Sequence, residues 1–200
     1  MEPTARKELF RSAADVEALT PAFQELLTDS AALASFLQET FDAFVAEPAR
    51  LASAEDRRLL SCAILLAGMS ASKAFYPQIL KILVSPEFGA NVPREEWLSS
   101  EISRLLGILS PDDGAPEILE WVLKPNLAHQ VAEQFLLTLS CRWIARRDND
   151  AAFLGYVKRI LAEIPKDLVE FEVAMAVVVN AVAVAGDQLK SQVFEFYKAH

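Results

Sequence analysis

The chain has little of what metal sites, disulfide frameworks and nucleophilic active sites are made from: its 200 residues include only Cys62, Cys141, His129 and His200 as soft ligands. A structural zinc site takes four Cys or His ligands, so no metal and no cofactor is expected. Both cysteines sit inside apolar helical patterns, which points to buried thiols in a reducing compartment, although a single Cys62–Cys141 disulfide is not excluded by number. Glycine is sparse as well. Gly68, Gly89, Gly107, Gly114, Gly155 and Gly186 are isolated, so no glycine-rich loop is available to cradle a phosphate.

Positive charge is in deficit. Lys and Arg number 19 against 28 Asp and Glu, a net charge of −9 spread evenly along the chain. Proteins that grip nucleic acid through its phosphates present a basic face, so no nucleic-acid partner is expected. The first residues carry Glu2, Arg6, Lys7, Glu8 and Arg11 with no apolar run behind them, which is unlike a signal peptide. Residues 173–185 form the most apolar stretch, yet they are interrupted by Asn180 and fall short of the roughly 20 residues a bilayer span needs. A core helix, no membrane association and a cytoplasmic location are therefore expected. Strand patterns are absent too: no extended run of alternating β-branched residues is bounded by Asn-Gly or Asp-Gly.

What the chain has in abundance is apolar residues at helical spacing. Hydrophobic residues make up 52% of it, among them 12 phenylalanines, enough to build a substantial core. Leu33, Phe36, Leu37, Phe41, Phe44 and Val45 stack on one face of a 3.6-residue helix, and Val131, Phe135, Leu139 and Trp143 recur every four residues. Ten prolines punctuate the pattern, most of them where a helix begins or has just ended. Cap-forming residues agree with them, notably Ser53 with Asp56 three positions on, Ser110 before Pro111, Asn126, Asp148 to Asp150, and Asp187. Together these signals predict helices over 4–19, 21–28, 31–46, 54–68, 72–84, 94–109, 115–124, 127–145, 151–164, 167–185 and 188–199.

Self-similarity then suggests how the helices are arranged. The segment from Tyr76-Pro77 to Pro86 aligns without a gap on Ala115-Pro116 to Pro125 at an offset of 39 residues, sharing proline, isoleucine, leucine and the closing proline. The preceding helices correspond at the same offset, Ala63, Leu66 and Ala67 matching Ile102, Leu105 and Leu106. A weaker copy runs through Tyr156, Val157, Ile160 and Leu161, and a faint one through Phe194 and Tyr197. Two amphipathic helices per unit of this length are the mark of an α-solenoid, in which each pair buries its face by stacking on the next. The expected fold is all-α: an αα-superhelix of antiparallel helix pairs in one domain, with N-terminal helices over 1–50 and about four pairs over 54–199.

On these residues the sequence resembles HEAT-like repeat proteins. More narrowly, 55–164 look like an uncharacterised bacterial family of such repeats, through the tyrosine-proline-led second helix, the linker from Pro86 to Pro93, the long helix after it and the acidic turn at Asp112 to Gly114. Some members of that family carry a cysteine-rich SEC-C tail. No cysteine follows Cys141 in this chain, so the resemblance implies no metal tail here.

Candidate chemistry is thin. His129 and Glu133 share a helical face as a metal pair would, but no third ligand is near in sequence. Neither cysteine has a local base to hold it as thiolate. Glu95-Glu96 and Asp112-Asp113 read as carboxylates favoured at helix starts. Arg142, Arg146 and Arg147 end a helix beside Asp148 and Asp150.

The expected function is accordingly a non-enzymatic helical-repeat scaffold that binds a protein or peptide on its concave surface. The resemblance implies that second helices line that surface, which gathers Gln78, Lys81, Glu117, Glu120, Trp121, Lys158 and Arg159 as candidate contacts. Trp121 borders the polar stripe of its helix, so it is either a partly exposed anchor or a core residue. The alternative is a nucleic-acid-modifying enzyme of the HEAT-like alkylpurine DNA glycosylase type, which would require a cationic groove.

Overall fold

The computed structural model describes residues 2–13, 17–93 and 100–110, together with the helical residues Gly155, Lys158, Arg159, Ala162, Glu163, Ser191, Gln192, Phe194, Glu195 and Lys198. All regular structure among the described residues is helical, with no strand, which makes the fold all-α. The chain divides into two compact units, Met1–Glu96 and Trp97–His200.

In the first unit, α1 (Pro3–Ser12), α2 (Thr20–Thr28), α3 (Ser30–Ala46), α4 (Ala54–Met69), α5 (Tyr76–Leu83) and α6 (Pro86–Asn91) follow one another. Short 3-10 turns at Glu17–Leu19, Pro48–Ala52 and Lys73–Phe75 link them. α3 packs against α2, α4, α5 and the turn Pro48–Ala52, and α4 packs in addition against α1. The predicted stripe on α3 is the buried one: Leu33, Phe36, Leu37, Phe41 and Phe44 are all in the core, with Val45 half-buried at its edge. α4 buries residues almost all round, from Leu59, Leu60, Ala63 and Ile64 to Leu66 and Ala67, as a helix enclosed by neighbours must.

Helix boundaries follow local chemistry. Asp29 caps α3 by accepting hydrogen bonds from the backbone N–H groups of Ala31 (3.1 Å) and Ala32 (3.0 Å). Ser53 caps α4 through the N–H of Asp56, as its spacing predicts. Pro21 and Pro77 stand in the first turns of α2 and α5, where the missing N–H removes no helical bond. Buried Arg57 donates from α4 to the carbonyls of Leu51 (3.0 Å) and Ala52 (3.1 Å), satisfying the end of the preceding turn.

Three boundaries differ from the sequence reading, one of them the start of the helix expected over 72–84, where a 3-10 turn at Lys73–Phe75 precedes α5 at Tyr76. The first helix stops at Ser12 rather than running to 19; the Ser12 hydroxyl donates back to the Glu8 carbonyl, and Ala13 is already extended. The segment from Pro86 to Pro93, read as a linker, contains α6. Ser85 caps it by accepting from the N–H of Phe88, Pro86 opens it, and Phe88 anchors it at 1% exposure against the rest of the unit.

In the second unit, α7 (Ser100–Leu109) buries Leu105, Leu106 and Leu109, and the Ser110 hydroxyl donates to the carbonyl of Gly107. Leu66 and Ala67 of α4 are buried, and so are Leu105 and Leu106, their counterparts 39 residues on. The cap expected of Ser110 for a following helix, the predicted helices over 115–124, 127–145 and 167–185, and the caps at Asn126, Asp148 to Asp150 and Asp187 lie outside the described residues.

The end of α4 is strained. Ser72 N–H bonds the Ala67 carbonyl and Ala71 N–H that of Gly68, a Schellman motif in which the C′ residue is left-handed. That residue is Ala71, at φ 50°. Glycine adopts this conformation without steric cost, whereas an L-residue with a Cβ is opposed by about 1–2 kcal/mol. The glycine's greater freedom in the unfolded chain offsets part of the gain. Ala71→Gly should therefore raise unfolding free energy by about 0.5–1 kcal/mol in urea titration; a loss of stability would show that Ala71 is unstrained.

Candidate functional site

The predicted contact residues fall into three groups. Gln78 and Lys81 lie on α5, whose opposite face buries Ile79, Leu80, Ile82 and Leu83; Gln78 is half-buried and Lys81 exposed. Lys158 and Arg159 are helical and exposed in the second unit. Glu117, Glu120 and Trp121 lie outside the described residues, as do His129, Glu133, Cys141, the arginines at 142, 146 and 147, and the carboxylate pairs 95–96 and 112–113.

Lys158 has the most informative surroundings. It lines a surface depression of about 400 Å³ with Ser191, Gln192 and Glu195, so residues more than 30 positions apart in the chain meet around one hollow. Next to Lys158, Arg159 donates to Glu163 one helical turn on, at 2.7 Å, which holds its guanidinium along its own helix. Next to Glu195 in the chain, Phe194 is 57% exposed, and Lys198 places its ammonium 4.3 Å from the ring centroid while also pairing with Glu195 at 3.3 Å. Phe194 is thus not the buried repeat position that the faint fourth copy would make it.

Sequence reasoning found Lys158 and missed Ser191, Gln192 and Glu195. These polar residues read as the solvent face of the last predicted helix, and nothing in their spacing signals a hollow, which arises only when two segments distant in sequence come together.

The chemistry of the described residues is quiet. They contain no group of three His, Cys, Asp or Glu side chains placed to hold a metal ion. Among the described residues, Lys158 and Glu195 are the charged groups that line the hollow. Among the described residues no helix is long and apolar enough to cross a membrane. No protein-family profile, curated protein or solved structure matches the chain significantly, so the likeness to HEAT-like repeats rests on the residues quoted for it.

Cys62 lies on α4 as a free, buried thiol, and burial pushes its pKa up to about 11. A neutral buried thiol is a packing group and a poor nucleophile. The sign of its pH linkage follows: the folded thiol ionises later than the unfolded one, so its contribution is intact below the unfolded value near 9 and is lost as pH rises towards about 11. Alkylation mapped by mass spectrometry should leave Cys62 unmodified in the native protein at pH 8 and label it fully in denaturant. Rapid native labelling would contradict this assignment.

Proposed function

We propose that the chain is a non-enzymatic helical-repeat scaffold, a HEAT-like superhelix of antiparallel helix pairs, which binds a protein or peptide. The reading is supported by the all-helical structure, by the gapless internal alignment at an offset of 39 and by the burial of Leu66 and Ala67 in α4 together with their counterparts Leu105 and Leu106 in α7. The single observation that carries the binding role is the hollow lined by Lys158, Ser191, Gln192 and Glu195, with the exposed ring of Phe194 adjacent to Glu195 in the chain. A peptide backbone finds donors and acceptors there, and the Phe194 ring offers the apolar anchor that interfaces favour. The glycosylase alternative would need cations accumulated for a phosphate backbone, whereas the net charge of the chain is −9.

The test uses the interaction itself. A partner captured by the wild-type chain is titrated against Phe194→Ala and Lys158→Glu, with thermal unfolding measured in parallel. Truncating an aromatic anchor removes about 2 kcal/mol of binding or more, so the dissociation constant should rise at least about tenfold. Phe194 is mostly exposed, so the melting temperature should stay close to that of wild type. Unchanged affinity in both variants would refute this hollow as the binding surface.

A further inference from the structure

α1 is held differently from every other long helix of the first unit. α3 and α4 are anchored by apolar faces, whereas α1 fully buries only Phe10 and Arg6. Phe10 sits edge-on to Phe23 of α2 at 5.4 Å and to Phe36 of α3 at 5.3 Å. Around that one aromatic plug, each neighbouring helix contributes a carboxylate to a cation of α1: Arg6 pairs with Glu25 of α2 (2.7 Å), Lys7 with Glu39 of α3 (2.8 Å) and Arg11 with Asp56 of α4 (2.9 Å). The seat of α1 is therefore an aromatic floor with an acidic rim, complementary to a short helix bearing one Phe and a stripe of cations.

A ten-residue helix has little stability of its own in water. Two of these three ion pairs reach solvent through their acids, Glu25 and Glu39 being 44% and 54% exposed, so salt screens them, while Arg11 and Asp56, at 23% and 16%, are more sheltered. The rim stays in place when α1 leaves, because Asp56 is independently held by Arg50 (3.2 Å) and Glu39 by the hydroxyl of Ser35 (2.9 Å). A helix attached in this way opens below the threshold of global unfolding, and its seat then accepts another of the same chemistry.

We propose that α1 is a detachable strap over a helix-docking seat formed by α2, α3 and α4, and that the segment the seat accepts in exchange is α1 of a second copy of this chain. The charge complementarity selects that occupant: Arg6, Lys7, Phe10 and Arg11 come as a set on α1. The proposal concerns the first unit and is independent of the binding role assigned to the second.

Two measurements on the full chain test it. Hydrogen exchange is followed residue by residue while salt rises from about 0.01 M to about 1 M, which shortens the Debye length from about 30 Å to about 3 Å. Amides of α1 should exchange faster than those of α3 and α4 at low salt, and accelerate about tenfold further at high salt while α3 and α4 do not. In the second measurement a fluorescent peptide of residues 2–13 is titrated into wild type and into Lys7→Glu/Arg11→Glu. The attached strap competes at an effective concentration in the millimolar range, so the variant, with its own strap weakened, should bind the peptide about tenfold more tightly. Exchange of α1 in step with α3 and α4, with no salt response, would overturn the strap. Equal or absent peptide binding in a variant whose α3 and α4 amides remain protected would overturn the docking seat. If the variant fails to fold, the salt series on wild type decides the strap, and Lys7→Gln, which keeps Arg6, Phe10 and Arg11 in place, decides the seat by the same titration.

Discussion

The first unit depends on one constraint, the burial of the aromatic face of α3. Phe36, Phe41 and Phe44 project from that helix towards different neighbours. Phe36 meets Phe10 of α1, Phe41 meets Phe75 ahead of α5 at 5.7 Å, and Arg50 lies over the ring of Phe44 at 5.5 Å from its centroid. Phe36, Phe41 and Phe44 are each at most 5% exposed. Burying such side chains contributes roughly 1.5–3 kcal/mol apiece, which exceeds what any single surface ion pair of the unit supplies. The helices around α3 are thus placed by where its rings point.

Charge works on top of that packing as a selector. Arg50 and Arg11 converge on Asp56, whose backbone N–H is bound by the cap Ser53, so the start of α4, the turn before it and α1 are tied at one carboxylate. Hydrogen bonds from Lys7 and Ser35 hold Glu39 below the usual carboxylate range, and the Lys7 charge acts in the same direction. A depressed acid supports the fold above its unfolded pKa and loses that support as pH falls through the folded one. The exposure of Glu39 keeps this contribution small. Among the described residues, the hydroxyl of Thr40, on the core side of α3, runs against the pattern, with no hydrogen-bond partner.

The helices were legible in the sequence wherever a signal was local. The i, i+3, i+4 run from Leu33 to Phe44, the Ser53 cap and the prolines at 21 and 77 each act within one or two turns, and the structure uses them as their chemistry dictates. Reading failed where a tertiary contact decides. Phe88 turns a proline-flanked segment into α6 because a neighbouring surface is there to receive the ring, and that surface is assembled by chain far upstream. The hollow at Lys158 is of the same kind, since Ser191, Gln192 and Glu195 acquire meaning only beside it. The left-handed turn at Ala71 was hidden for another reason: the residue expected there, glycine, is absent, so the motif is visible only in its backbone hydrogen bonds.

α3 is the organising helix of the first unit, and Phe41 is its most enclosed ring contact, fully buried within the helix. Equilibrium urea unfolding of Phe41→Ala tests this most directly. Truncation of a buried Phe removes about 3–5 kcal/mol, and that loss is expected for the first unit. A loss below about 1 kcal/mol, the range of surface substitutions, would contradict the claim that the aromatic face of α3 holds the unit together.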